Sequence, residues 1–308
     1  MGNLFLYVLA AIGAGTIAIA TNAAVKFISL HFLPPSQPLQ KYKRTGNQPT
    51  YALITGASAG IGFGIAKELV KNGFGVILLG HLPDELNAAK ATLEAATPGA
   101  RVRIIVMNAI TATPTEIESM VDSLKDINVS ILVNNVGGSP VARPPFRQLG
   151  TYSAADVDAV INQNARFMAR LTAAMLPLLY KASHRSLILN MSSQGMAGVP
   201  YIVIPELEDT PDTNHVDCLA IIPGDVLSQG NSKGVTEAAP KADHFGKRIV
   251  YCVDAALKQK LRAVCPYWRH DLEWRLMSWV PEDVLRSEVV KVIGMKRDAW
   301  NAYYEKTE

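Results

Sequence analysis

In "TGASAGIGFGIAKEL", Thr55 to Leu69, glycines at 56, 60 and 62 close an apolar run and open an amphipathic stretch. Glycine lets a backbone turn sharply and approach a bulky anion, and the first free N–H groups of a helix offer that anion a partial positive charge. A strand before the turn and a helix after it are the context a pyrophosphate site requires, so dinucleotide binding is the chemistry to expect. Other chemistries lack their residues. With 30 Lys and Arg against 27 Asp and Glu, the net charge is +3 and the cations are scattered, so no nucleic-acid partner is expected. Cys218, Cys252 and Cys265 lack metal-type spacing and are odd in number, which points away from a metal site or disulfide framework and toward a reducing compartment.

The elements that must hold such a turn read as short apolar runs: "YALITG" (51–56), "GVILLG" (75–80), "RVRIIVMN" (101–108), "SILVNN" (130–135), "SLILNMS" (186–192) and "VDCLAIIPG" (216–224). They have the continuous apolar character of strands buried on both faces, and helical stretches separate most of them. The expected class is α/β, a Rossmann-like doubly wound parallel sheet. Upstream, Asn3 to Val25 carries no charged side chain and is long enough to cross a bilayer, while Lys26, Lys41, Lys43 and Arg44 all follow it. A cleaved signal peptide would place basic residues before the run. Residues 1–32 are therefore expected to be an uncleaved transmembrane anchor in contact with membrane lipid, its C-terminal side in the cytosol. Residues 33–50 read as a Pro-rich, polar linker and 51–308 as the nucleotide-binding domain.

The spacing Thr55-Gly56-x-x-x-Gly60-Ile61-Gly62 resembles the short-chain dehydrogenase/reductase family. "NNVG", Asn134 to Gly137, is similar to that family's Asn-Asn-Ala-Gly motif, and its Val resembles the membrane-anchored 3-ketoacyl-CoA reductase and 17β-hydroxysteroid dehydrogenase branch. "INQNARFMARLTAAMLP" resembles the helix of the active-site Asn, whose distance to the Leu-Pro end selects Asn164 over Asn162. "LILNMSSQG" resembles the catalytic-serine strand, with Ser193 in the catalytic place, and "IIPGDVLS" resembles the Pro-Gly turn at the nicotinamide. The resemblance implies hydride transfer from a nicotinamide to a carbonyl carbon. A Tyr gives its proton to the oxygen, a Lys lowers the Tyr pKa, Ser193 holds the oxygen and Asn164 anchors a proton-relaying water. It also implies that the cofactor meets Gly56, Ser58, Gly60, Ile61, Gly62, His81, Asn108, Asn135, Gly137, Pro223, Gly224, Val226 and Ser228. Outside these motifs Ser193 and Asn164 would read as ordinary polar residues at element ends. The substrate implied is a hydrophobic, lipid-like ketone such as a 3-oxoacyl-CoA, and the location implied is the endoplasmic reticulum membrane with the domain facing the cytosol. A homo-oligomer is compatible with the family.

An NAD enzyme would place Asp or Glu at the end of the second strand to accept from the ribose 2′-hydroxyl. Here "LLGHLPDEL" offers Gly80 and His81, and Asp84 belongs to the next helix, so NADP is the expected cofactor. His81 stands where the branch has Arg, and Asn108 where an Asp touches the adenine.

The family's Tyr lies about thirteen residues past the Ser, which from Ser193 points to Glu206. None of the ten tyrosines has a Lys four residues on, so Tyr-x-x-x-Lys is absent from the sequence. The flanks place the join between Pro205 and Glu206. A block of about seventeen residues, enough for one packed helix, is expected to be missing between the fifth and sixth strands, as from an omitted exon segment or gene-model error. Tyr201 is the one nearby phenol, and Pro200, Pro205 and Pro211 break any helical period. Farther on, Trp268, Trp274 and Trp279 fit a substrate lid, a membrane-resting face or core packing alike. Two readings stand: a membrane-anchored NADP-dependent ketoreductase lacking its Tyr-x-x-x-Lys segment, and a non-catalytic dinucleotide-binding membrane protein.

Overall fold

A computed structural model describes residues 2–46, 48–138, 145, 148–180, 184–193, 215–277 and 279–306. The first element is α1 (Gly2–His31), and it is the one helix among the described residues that is long and apolar enough to cross a membrane, over Asn3–His31. Its apolar side chains from Leu4 to Ile19 are exposed, whereas Leu30 and His31 at its end are buried against the domain.

Six strands follow the apolar runs: β1 (Thr50–Thr55), β2 (Gly75–Gly80), β3 (Val102–Val106), β4 (Asn128–Asn134), β5 (Ser186–Met191) and β6 (Val216–Ile221). A two-residue β7 (Ala263–Val264) completes a seven-stranded sheet in the order β3-β2-β1-β4-β5-β6-β7, every neighbouring pair parallel. The order reverses between β1 and β4, where an α/β sheet opens its ligand crevice.

The sheet is covered on both faces. Ala52, Ile54, Val76, Leu78, Val133 and Leu189 pack on α2 (Gly60–Lys71), α3 (Pro83–Ala96) and α7 (Ala242–Lys258). Leu53, Ile77, Leu132 and Ile188 face α4 (Pro114–Asp122) and α6 (Phe167–Tyr180). A short α5 (Ala154–Ile161) precedes α6, and α8 (Trp268–Met277) and α9 (Glu282–Tyr304) end the chain. α2 and α7 cross at paired glycines: a Cβ on Gly246 would stand 2.5 Å from the Gly64 carbonyl carbon, and one on Gly64 2.7 Å from the Ala242 carbonyl oxygen.

Two expectations need correction. β3 is not buried on both faces: it is the sheet edge, so Arg103 and Val106 are exposed. Residues 33–50 do not hang free as a linker, because Leu39 and Tyr42 belong to the core. Asp254 accepts from Leu39 N at 2.8 Å, and Asp217 accepts from the Tyr42 hydroxyl at 2.7 Å. Burial, reinforced by that carboxylate, drives the Tyr42 phenol far above its ordinary pKa. The expected loss of a helix between β5 and β6, the Pro205–Glu206 join and Tyr201 all lie outside the described residues.

Candidate active site

The crevice is built at the C-terminal ends of β1 and β4. β1 runs into Gly56 and Gly60, both with φ near +60°, a region that side-chain-bearing residues rarely adopt. Ala59 precedes α2 in an extended conformation and offers no side-chain cap, so the first N–H groups of α2 are left for a ligand or water. A Cβ on Gly62 would collide with the Gly56 carbonyl oxygen and stand 2.6 Å from Asn135 Nδ2. Glycine at 62 is what lets α2 press onto the turn.

The turn is fastened to β4. Asn135 Nδ2 donates to the carbonyls of Thr55 at 2.9 Å and Gly56 at 3.1 Å. The fully buried Thr55 hydroxyl accepts from the backbone N–H of Asn135 at 2.8 Å and Val136 at 2.9 Å. Beneath it, Asn134 Nδ2 donates to Asn190 Oδ1 at 2.8 Å and Thr172 Oγ1 at 2.9 Å, tying β4, β5 and α6 together in the buried floor of the crevice. These two polar residues interrupt otherwise apolar strand ends, the signal from which Asn190 could have been found.

Asn164 lies in a π-helical turn, Asn162–Arg166, between α5 and α6; such turns recur at functional sites. Its Oδ1 accepts from Gly138 N at 2.6 Å and its Nδ2 donates to Val160 O at 3.0 Å, so the side chain is held beside the Gly137 backbone. Asn162 instead donates to Ile110 O and accepts from Arg166, while Gln163 also reaches the motif loop, donating to Gly138 O at 3.3 Å. Ser193 follows β5 and is exposed; its neighbour Ser192 donates its backbone N–H to Ile221 O at 2.8 Å, which sets the serine pair beside the Pro223 turn.

The loop after β6 closes the other side. Ser228 stands over the glycine turn, 3.7 Å from where a Gly60 Cβ would be, and Val226 is buried in the core. Gly224 N donates to His270 Nδ1 at 3.2 Å, and a Cβ on Gly224 would meet that ring at 2.8 Å. Burial lowers the His270 pKa, with Asp225 opposing, which suits the neutral ring this bond requires. Asp225 is held on several sides, by Thr236 N at 2.8 Å, Asn231 at 2.9 Å and Lys296 at 2.9 Å. Burial opposes its charge, but these donors outweigh it and bring its pKa below the usual carboxylate value.

At the other end of the crevice, His81 follows β2 and is exposed, and Asn108 follows β3 and turns its Oδ1 onto Ile110 N at 2.9 Å. No motif in the sequence marks Glu85, one residue past Asp84. Its two oxygens accept from Ser58 Oγ at 3.0 Å and Gln229 Nε2 at 3.2 Å, bridging the glycine turn and the loop after β6. An acid in the first turn of α3 was the available signal, but its partners stand 27 and 144 residues away in the chain.

The family model for short chain dehydrogenases matches residues 50–205. The chain is 29% identical over 191 residues to a very-long-chain 3-oxoacyl-CoA reductase of Mycosarcoma maydis, covering 61% of this chain and 53% of that protein. It is 26% identical over 290 residues to one of Coccidioides immitis, covering 86% and 78%. It thus spans about half the length of the first relative. Among solved structures, a short-chain dehydrogenase of Sphingobium yanoikuyae in complex with NADPH superposes with a TM-score of 0.60 at 19% identity, over 79% of this chain and 95% of that one. A bulky-bulky ketone specific alcohol dehydrogenase of Comamonas testosteroni gives 0.58 at 19% identity, over 77% and 96%. With its glycine turn, parallel sheet and family match over half its length, the chain belongs to the short-chain dehydrogenase family of oxidoreductases.

Proposed function

We propose that the protein is a membrane-anchored, NADP-dependent ketoreductase scaffold for a lipid-like ketone such as a 3-oxoacyl-CoA, without its general-acid segment. The observation that carries this reading is the likeness to a fungal very-long-chain 3-oxoacyl-CoA reductase across 86% of the chain, including the part beyond the family match. The crevice fits a dinucleotide: α2 begins uncapped, and the position of Gly62 has no room for a Cβ. Gly56, Ser58, Gly60, Ile61, Gly62, Asn135 and Gly137 would hold the pyrophosphate side, His81 and Asn108 the adenosine, and Pro223, Gly224, Val226 and Ser228 the nicotinamide. When bound, the nicotinamide supplies the hydride. Ser193 would orient the substrate oxygen, and Asn164, fixed by Gly138, would position a water. NADP is favoured by the missing acid at His81 and by the NADPH bound to structural relatives.

The absence of Tyr-x-x-x-Lys favours a second reading, a dinucleotide-binding membrane protein without catalysis. The family match ends at Pro205, the residue after which the sequence places the join. Sequencing the transcript across Pro205 and Glu206 separates the two: an encoded Tyr-x-x-x-Lys helix supports the reductase, and an unbroken junction supports the second reading. Anchoring is tested by alkaline carbonate extraction of the full chain, which should stay with the membrane pellet; release into the supernatant removes the anchor.

A further inference from the structure

α8 climbs the end of α1. Trp268 meets Phe32 with ring centroids 6.3 Å apart, Asp271 accepts from His31 Nε2 at 2.8 Å, and the Arg275 guanidinium lies 5.9 Å from the Phe27 ring centroid. Contacts that advance along α8 from 268 to 275 thus retreat along α1 from 32 to 27. The two helices run antiparallel, and the C-terminal end of α8 points back along the apolar run. Arg248 also donates to the His31 carbonyl, and Gln259 Nε2 donates to Lys26 O at 3.0 Å, so the base of α1 is fixed to the domain. From Asp271–His31 to Arg275–Phe27 four residues on α8 match four on α1, about 6 Å at 1.5 Å per residue. α8 ends at Met277, so the residues that follow start out toward the uncharged run that ends at Val25.

Exposed apolar side chains stand there among the exposed charges of Glu273, Arg275, Glu282 and Asp283. Leu272 and Leu276 lie one turn apart on α8, and the chain continues in turns, with Trp279 N bonding Leu276 O at 3.0 Å and Val280 N bonding Met277 O at 3.1 Å. All four side chains are exposed, Leu276 at 57% and Trp279 at 87%. A large indole with an apolar body and an N–H suits the boundary between headgroups and acyl chains. The exposed Arg269, lower on α8, suits lipid phosphates.

We propose that Leu272, Leu276, Trp279 and Val280 form a second membrane contact, which seats the domain on the bilayer from which α1 emerges. This rests on the reading of α1 as a membrane span. The four tryptophans all lie outside α1, so their emission reports on the domain alone. The full chain is reconstituted into phosphatidylcholine vesicles with or without bromine near the upper acyl carbons, and flotation is run on the same samples. The expected result is co-flotation, with brominated lipid quenching the emission and Trp279→Phe removing most of that quenching. Co-flotation with equal quenching in both proteins, or with none, overturns this contact while leaving the anchor in place. Trp279 shielded from both bromolipid and aqueous acrylamide assigns the face to a protein surface and likewise overturns it. A chain that fails to float removes the anchor and this proposal together.

Discussion

Asn135→Ala should loosen the glycine turn by an amount the structure fixes. The substitution removes the donor to Thr55 O and Gly56 O while leaving the backbone bonds of residue 135 to the Thr55 hydroxyl intact. Two neutral hydrogen bonds at roughly 1 kcal/mol each give a loss of about 2 kcal/mol. Asn135→Asp is the sharper test. It has the same shape but turns an acceptor toward two carbonyl oxygens, so it should lose more than Ala, and loss of volume alone would predict the reverse. Denaturant unfolding of the full chain in detergent, followed by tryptophan emission, measures the stability. An NADPH titration of the same samples should show weaker binding in the same order, because the turn that approaches the pyrophosphate is the part released. A loss under about 0.5 kcal/mol for Ala, or Asp as stable as the parent, would refute the clamp.

At the α2–α7 crossing, Gly246→Val should cost about 1–3 kcal/mol of stability and lower the unfolding midpoint, whereas Gly230→Ala, with nothing within 4 Å, should be near neutral in the same melts. Glu85→Gln should raise affinity for NADPH relative to NADH in competitive titrations, since it removes a negative charge from the first turn of α3, four residues past His81; an unchanged ratio would place the carboxylate away from the 2′-phosphate. Because the folded pKa of Asp225 is depressed, its contribution to stability is fully present above the ordinary carboxylate pKa and is lost as pH falls through the lower folded value. Acid unfolding should therefore begin at higher pH in Lys296→Met than in the parent, while Asp225→Asn should flatten that part of the profile.

The strands were legible because burial on both faces leaves continuous apolar runs, and β1, β2, β4, β5 and β6 fall within two residues of those runs at nearly every end. β7 was not, since two residues carry no pattern. α1 runs six residues past Val25 because Leu30 and His31 find partners on the domain, which a hydropathy reading cannot see. Proline and charge made 33–50 look like a linker, while Leu39 and Tyr42, three apart, were the quieter sign of docking. In the site, local geometry was readable: Gly56, Gly60 and Gly62 announce a turn. Glu85, Asn190 and His270 were missed because each acts through partners brought together only by the fold.

A ketoreductase scaffold whose missing element is the proton donor, as proposed above, should regain turnover when that element is restored. The decisive comparison is NADPH oxidation in the presence of a long-chain 3-oxoacyl-CoA, measured for the full chain beside a version carrying a Tyr-x-x-x-Lys helix inserted after Pro205. Both should bind NADPH, and the inserted chain should turn over faster by about 10² to 10⁴, the contribution typical of general-acid catalysis. Equal and robust turnover by the chain without the insertion would show that no proton donor is missing.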